Sequence, residues 1–242
     1  MKLICYGSSS RGNGYILQGE RQSLLLEAGL QLSNIRQFGV PFGQIQGCLV
    51  SHRPGDHTKY MGDFMKAGIT CYANDDVWDH YKGNTLRKGD IKPPTETTEI
   101  GEFKVVPMYA NHDVPCWSYL IQHPEMGNLL FVTDSAGFNC TFDKVDHVMI
   151  ECNWSEECMQ NAIDEGRTNW YVAKRSKETH MGLEIMLDYL RSEECFKWSK
   201  EIVLLHLSHE NSDPQQFQKI VSESLSKPVY VAEYGLKIDL LP

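Results

Sequence analysis

Short apolar runs separated by polar turns set the pattern of this chain. Residues 3–6, 15–18 and 23–27 are runs of strand length. The first is followed by the turn cluster Gly7-Ser8-Ser9-Ser10-Arg11-Gly12-Asn13-Gly14, and a Gly-Glu-Arg turn joins the other two. Residues 31–38 predict a short helix closed by Gly39 and Pro41. Cys48, Leu49 and Val50 form a compact strand that delivers Ser51 and His52 at its end, and residues 59–66 predict a helix stopped by Gly68. The second half repeats the alternation, with strands at 103–109, 118–122, 129–133, 147–150 and 202–205 and a helix at 155–165. A further helix is predicted over 178–191, with Leu183, Met186, Leu187 and Leu190 on one face. Asp213 and Pro214 form an N-cap and first-turn pair that opens a helix with Phe217, Ile220, Val221 and Leu225 on one side. Residues 229–231 and 237–240 close the chain as strands. The polar, proline-containing stretch 92–99 is short enough to be a loop, so residues 1–242 are read as one domain. The class is α/β, with mixed sheets covered by helices.

Composition narrows the partners more than the fold. The 242 residues are 41% hydrophobic and 23% charged, which rules out wholesale disorder. The net charge of −9 argues against a surface that binds nucleic acid everywhere by phosphate neutralisation, while leaving room for a local groove. No apolar run is long enough to span a bilayer, and the first residues lack the long apolar stretch of an export signal. The eight cysteines are scattered, with no Cys-x-x-Cys pair, and are expected to be free thiols in a reducing cytoplasm.

The histidines carry the chemical signal. His52 follows one strand, with Asp56 and His57 just beyond it. His112 and Asp113 follow a second strand, Asp134 a third and His206 a fourth. Any one of these is by itself a loop or core residue. Four strand ends carrying imidazole or carboxylate groups can converge at a common sheet edge, and that ligand mixture suits zinc, manganese or iron. His80, His123 and His147 lack such context and read as structural or surface residues.

These segments together resemble the metallo-β-lactamase-fold hydrolases over nearly the whole chain. The signature His-x-His-x-Asp-His is similar to His52-Arg53-Pro54-Gly55-Asp56-His57, and the element before it to Leu24-Leu25-Leu26-Glu27-Ala28-Gly29. His112-Asp113-Val114-Pro115, Thr133-Asp134-Ser135-Ala136-Gly137 and His206-Leu207-Ser208 follow in the family's order. The opening Gly-Ser-Ser-Ser-Arg-Gly-Asn-Gly turn resembles the YycJ-type exonuclease branch, as do Glu151-Cys152-Asn153, Thr179-His180-Met181 and His206 to Asn211. The resemblance implies an αββα sandwich with a metal site at one edge of two sheets. It would put His52 and His112 on a first metal, Asp56, His57 and His206 on a second, and Asp134 between them. In that family a hydroxide held between the metals attacks the substrate. A homodimer is the assembly suggested by analogy with relatives.

Two departures qualify this reading. Pro54 stands where the signature has its second histidine, so the first position keeps only His52, His112 and Asp134. Glu27 replaces the usual aspartate at a supporting position. His180 is the expected acid for the leaving oxygen, near the start of the 178–191 helix, where the positive helix end would lower its pKa. Lys174 and Arg175 are candidate phosphate contacts. His209 is a candidate supporting or substitute ligand, and Trp117, Trp154 and Trp170 are candidate cleft residues. The leading expectation is a phosphodiesterase dependent on one or two divalent ions, zinc or manganese, that acts on nucleic acid or a small nucleotide. The alternative is a degenerate relative that binds a nucleotide or partner without turnover. Hydrolysis of a thioester, ester or lactam is a third reading.

Overall fold

The computed structural model describes residues 1–94, 96–138 and 142–242. Cys140, and Thr95 within the proline-containing loop, lie outside the described residues. Six strands open the chain: β1 (Lys2–Gly7), β2 (Gly14–Gln18), β3 (Ser23–Leu26), β4 (Ile45–Leu49), β5 (Cys71–Ala73) and β6 (Lys88–Asp90). The next group is β7 (Thr98–Ile100), β8 (Phe103–Ala110), β9 (Cys116–His123), β10 (Gly127–Val132) and β11 (His147–Glu151). Then come β12 (Glu201–Leu205), β13 (Val229–Val231) and β14 (Lys237–Asp239). They form two sheets, ordered β14-β1-β2-β3-β4-β5-β6 and β13-β12-β11-β10-β9-β8-β7.

Period-two alternation explains why both sheets are buried on both faces. Leu3 and Cys5 of β1 enter the layer between the sheets, where Phe103, Tyr119, Phe131 and Met149 of the second sheet meet them. Ile4 and Tyr6 point the other way, toward α1 (Leu32–Arg36), α3 (Met61–Lys66) and α4 (Asp75–His80). On the far side of the second sheet, Val148 and Ile150 pack with Leu183, Met186 and Leu187 of α7 (Leu183–Ser192) and Phe217 and Val221 of α8 (Pro214–Leu225). The layers therefore run helices, sheet, sheet, helices, the expected αββα sandwich.

Strand direction places the site. β3 and β4 are parallel, as are β10, β11 and β12. β8 runs antiparallel to β9, and β9 to β10, so β8 shares the direction of β10. The carboxyl ends of β3, β4, β8, β10, β11 and β12 face one edge, where open sheets bind ligands. The two sheets are tied there by Tyr119 Oη donating to the Val50 carbonyl (2.9 Å) and the Trp117 amide donating to the Ser51 carbonyl (3.1 Å).

Several elements differ from their sequence expectation. The 59–66 helix is found as α3, from Met61, and a separate short helix, α2 (Gly55–Thr58), precedes it. The short segments β5, β6 and β7 carry too few alternations to register as strands, and β7 overlaps the end of the expected loop. The largest difference is at 178–191. The chain makes α6 (Trp170–Thr179), then an extended link, then α7. Gly182 lies against the Trp154 indole, where a Cβ would sit 2.8 Å from the ring, and pairs with Trp154 in a parallel bridge. That pairing draws residues 180–182 out of helical geometry. α5 (Glu156–Asp164) matches its expected position, capped by Ser155 accepting from the Cys158 amide. No helix among the described residues is long and apolar enough to cross a membrane.

Candidate metal centre

Three loops of the first sheet build one wall of the edge. After β4 the chain passes through buried Ser51 and His52 to Pro54, which caps α2 with φ −53° and ψ 151°. Proline suits this entry because its fixed φ is already that of a helix start. α2 presents Asp56 and His57. It is stitched to the loop after β3 by the Ala28 amide donating to the His57 carbonyl (2.8 Å), and to the loop after β1 by the Asn13 amide donating to the Asp56 carbonyl (2.8 Å). The contact admits no side chain at Gly29: a Cβ there would lie 1.6 Å from the Asp56 carbonyl oxygen. Glu27 (φ 67°) and His206 (φ 50°) both hold left-handed backbone, a conformation non-glycine residues keep where the surroundings impose it.

Asp134 is the centre of the cluster. Its Oδ1 lies 2.9 Å from His206 Nδ1 and 3.4 Å from His57 Nε2, while its Oδ2 lies 3.8 Å from His52 Nε2. The two oxygens thus face two sets of groups. On one side are Asp56 and His57, with Asp56 Oδ2 3.2 Å from His57 Nε2 and 3.7 Å from His206 Nε2. On the other are His52 and His112, with ring centroids 5.0 Å apart. His112 Nδ1 donates to the Thr179 carbonyl (2.7 Å), which turns Nε2 toward the site. Ligand atoms of His52, His112 and Asp134 lie within 4.8 Å of one another, as do those of Asp56, His57 and Asp134.

The electrostatics are those of carboxylates and imidazoles holding one another's charge. Burial opposes a charged His206, but Asp134 and Glu151 outweigh it and push the imidazole up to about 10. Burial likewise opposes a charged His57, yet Asp134 and Glu27 hold it well above the ordinary value. His52 moves down, by burial and by the neighbouring His57. Burial would raise Asp134, but His206 and His57 hold it well below the carboxylate range.

The same cluster fits a cation. His52 Nε2 and His206 Nε2 are buried without a hydrogen-bond partner, although each faces a carboxylate. An orphaned buried nitrogen costs about 1–3 kcal/mol, and two of them aimed into a ring of carboxylates are what a divalent ion would satisfy. The set Asp56, His57 and Asp134 offers three protein groups, and His206 groups with Asp134, Glu151 and His180 instead. The set with His52 and His112 offers three, since Pro54 brings no donor atom.

Other expectations fare differently. His180 does not begin a helix: it is the residue after the last turn of α6 and is extended (φ −133°, ψ 152°). A lowered pKa was expected from a helix start, but the direction is the reverse. Burial lowers it, and the Glu151 carboxylate, 2.7 Å from Nδ1, more than restores it, so the imidazole is raised. Lys174 and Arg175 lie exposed on α6 and are already paired, Lys174 with Glu178 at 3.7 Å and Arg175 with Asp113 at 2.6 Å. His209 is exposed beside Glu210 and joins none of the ligand groups. Trp154 is buried in the core and Trp170 lies on the surface. His147 is buried against Glu201, His123 is buried beneath Glu102, and His80 is exposed on α4.

Glu151, which sequence reading placed only in a motif and gave no role, joins the cluster. It is fully buried at the end of β11. Its Oε1 accepts from His180 Nδ1 (2.7 Å) and His206 Nδ1 (3.1 Å), and its Oε2 from the amides of Ser135 (2.9 Å) and Met181 (3.1 Å). An acidic residue closing an otherwise apolar strand, 147–151, was the available signal. Asn13 was also missed. It is buried in the glycine-serine turn, with Nδ2 3.1 Å from His57 Nε2 and 3.4 Å from Asp56 Oδ2.

Comparison with known proteins agrees with this geometry. No family model matches the sequence. The chain is 26% identical over 245 residues to exodeoxyribonuclease YycJ of Bacillus anthracis, an alignment covering 91% of this chain and 87% of that one. The crystal structure of the metallo-β-lactamase-fold protein YhfI from Bacillus subtilis matches with a TM-score of 0.76 and 19% identity, covering 98% of each chain. That of a diphosphatase from the PhnP family matches at TM-score 0.69 and 13% identity, over 98% of this chain and 96% of that one. The chain has the metallo-β-lactamase fold.

Proposed function

We propose that this chain is a metal-dependent phosphodiesterase that acts on nucleic acid or a small nucleotide. The observation that carries the reading is the convergence of His52, Asp56, His57, His112, Asp134 and His206 on one edge, with three of their buried imidazole nitrogens, His52 Nε2, His57 Nδ1 and His206 Nε2, left without hydrogen-bond partners. The similarity to an exodeoxyribonuclease over most of both chains, and to a diphosphatase in fold, supports a phosphate ester as the substrate.

In this reading Asp56, His57, Asp134 and His206 would hold one divalent ion and His52, His112 and Asp134 would hold a second, with zinc or manganese suited to the imidazole and carboxylate donors. Such ions lower the pKa of a bound water toward 7 and stabilise the charge that develops on phosphate oxygens. Glu151 accepts the Nδ1 proton of His180 and so fixes the ring with Nε2 free. His180 Nε2 is the atom that gives a proton to the leaving oxygen. The raised pKa of His180 suits an acid that must be protonated before the bond breaks. Asn13 Nδ2 borders the ion's position, beside the same Asp56 Oδ2 and His57 Nε2 that would hold it, while Glu27 lies behind His57 at Nδ1. Lys174 and Arg175 do not serve as free phosphate contacts while their carboxylate partners hold them.

The test is hydrolysis of bis(p-nitrophenyl) phosphate and of an end-labelled oligodeoxynucleotide, with metal content per chain measured by elemental mass spectrometry. Turnover that is lost in Asp134→Ala together with the bound metal is expected. A chain that carries metal and cleaves neither substrate, with zinc or manganese supplied, sinks the reading. Pro54 favours one alternative, a relative that binds a nucleotide without turnover, and that same result would support it.

A further inference from the structure

Two clefts open among α2, α3, α4 and the link from α4 to β6. The smaller, about 130 Å³, is bordered by Arg53, Thr58, His80, Tyr81 and Lys82. The larger, about 400 Å³, is bordered by Lys66, Tyr81, Asn84 and Arg87. Tyr81 lines both, so the two are neighbours across its side chain. That side chain lies against Gly62 and Gly83, where a Cβ at either would strike its phenol. The smaller cleft starts on the loop that serves the metal centre. Arg53 follows His52 directly in the chain, and Thr58 closes α2, the helix that presents Asp56 and His57.

The charge along these clefts is one-sided. The chain has 23 basic and 32 acidic side chains. Yet among the described residues the two linings hold Arg53, Lys66, Lys82 and Arg87 and no carboxylate. Two of the cations pair with carboxylates outside the lining, Arg53 with Asp76 at 3.2 Å and Lys66 with Asp63 at 3.3 Å. Lys82 and Arg87 make no ion pair among the described residues. The cleft beside His180 is different. Glu210 borders it, and Lys174 and Arg175 on α6 are matched by Glu178 and Asp113. Unmatched cations gathered in an acidic protein are the electrostatic footprint of an anionic ligand. A single phosphate would meet one of the two clefts, whereas a chain of phosphates meets both.

We propose that the joined clefts are a binding track for the phosphate backbone of a single-stranded nucleic acid, which reaches the metal centre past Arg53. The half-buried Tyr81 at the junction offers a ring on which a base can lie. The substrate is then a strand, not a small nucleotide. That assignment rests on the phosphodiesterase reading, whereas the track itself is a binding claim.

The test uses the full chain as purified and a fluorescein-labelled phosphorothioate thymidine dodecamer, which resists cleavage, followed by anisotropy. A single-strand contact contributes a slope of about −0.7 to log K against log salt, hence about fivefold in affinity at 0.1 M. Lys82→Ala and Arg87→Ala should each lose about fivefold, and the double variant about 25-fold with a slope shallower by about 1.4. Lys82→Arg and Arg87→Lys, which keep the charge, should stay within about twofold of wild type. Lys174→Ala/Arg175→Ala, whose charges are already paired, should lose less than about twofold. An unchanged slope in the Lys82→Ala/Arg87→Ala variant overturns the proposal, as does an equal loss in the α6 double variant. Polyglutamate of equal charge binding as tightly as the dodecamer would point to an acidic protein and overturn the nucleic-acid assignment. Hydrolysis of bis(p-nitrophenyl) phosphate by the wild-type chain, a substrate too small to span the track, tests the phosphodiesterase reading separately. Dodecamer binding with the expected slopes but without that hydrolysis upholds the track and refutes the catalytic reading.

Discussion

Removing the Glu151 carboxylate should cost the metal-free chain several kcal/mol. The side chain accepts four hydrogen bonds while fully buried, two of them from the backbone amides of Ser135 and Met181. Glu151→Ala leaves those two N–H groups buried without partners. At about 1–3 kcal/mol each, the loss is about 2–6 kcal/mol before His180 and His206 are counted. A domain of ordinary stability has about 5–15 kcal/mol in all, so the change is large. Glu151→Gln keeps an oxygen for the amides and loses the charge facing the imidazoles, so its cost should be smaller, about 1–3 kcal/mol. Urea unfolding in the presence of a chelator, read by circular dichroism at neutral pH, measures both, provided the m-value is unchanged. An alanine variant within about 1 kcal/mol of wild type would refute the reasoning, as would a glutamine variant less stable than the alanine one.

Gly29→Ala should push the loop bearing Asp56 away, because its Cβ has no room against the Asp56 carbonyl oxygen. A stability loss of about 1–3 kcal/mol is expected, with lower metal content by elemental mass spectrometry. Pro54→His should raise the metal content per chain by restoring a donor beside His52 and His112, and no increase would mean the loop backbone aims residue 54 elsewhere. By thermal melts across pH, the metal-free chain should lose stability above about pH 6.5, as His206 gives up its proton, and below about pH 4.5, with His52, held below 6.5, working against the acid side of that window. His206 is raised from 6.5 to about 10, so its contribution is complete below 6.5 and is lost as pH climbs through 10. Asp134 and Glu151 are lowered from 3.8 and 4.5, so theirs are present above those values and are lost as pH falls. Metal loading should follow the opposite trend from His206 stabilisation, weakening toward acid pH because the ligating imidazoles must shed their protons.

Most of the strands that build the two sheets were legible because they are buried on both faces and read as short apolar runs, as in Leu24–Leu26 or Ile202–Leu205. The histidines and aspartates at strand ends were legible because strand direction is a local property and an imidazole just past an apolar run stands out. α6 was not legible. Its ten residues bury only Ala173 and Thr179, so no apolar periodicity marks it, and the cap at Asn169 was its one local sign. His180 was therefore given the wrong helix end and the wrong direction of pKa shift. Glu151 was invisible as a site residue for another reason. Its partners lie 29 and 55 residues away on the chain, and nothing near it says which imidazoles it will face. The sequence alone determined the α/β class, the strand ends and the types of donor atom, since those follow from the period of burial and the chemistry of each side chain, while the layer order was implied only by the family resemblance. Only the tertiary structure decided which donors share an ion, which cations are already spent on carboxylates and which aromatics stay exposed. Those facts depend on the register of two sheets and on the path of a polar helix across their edge.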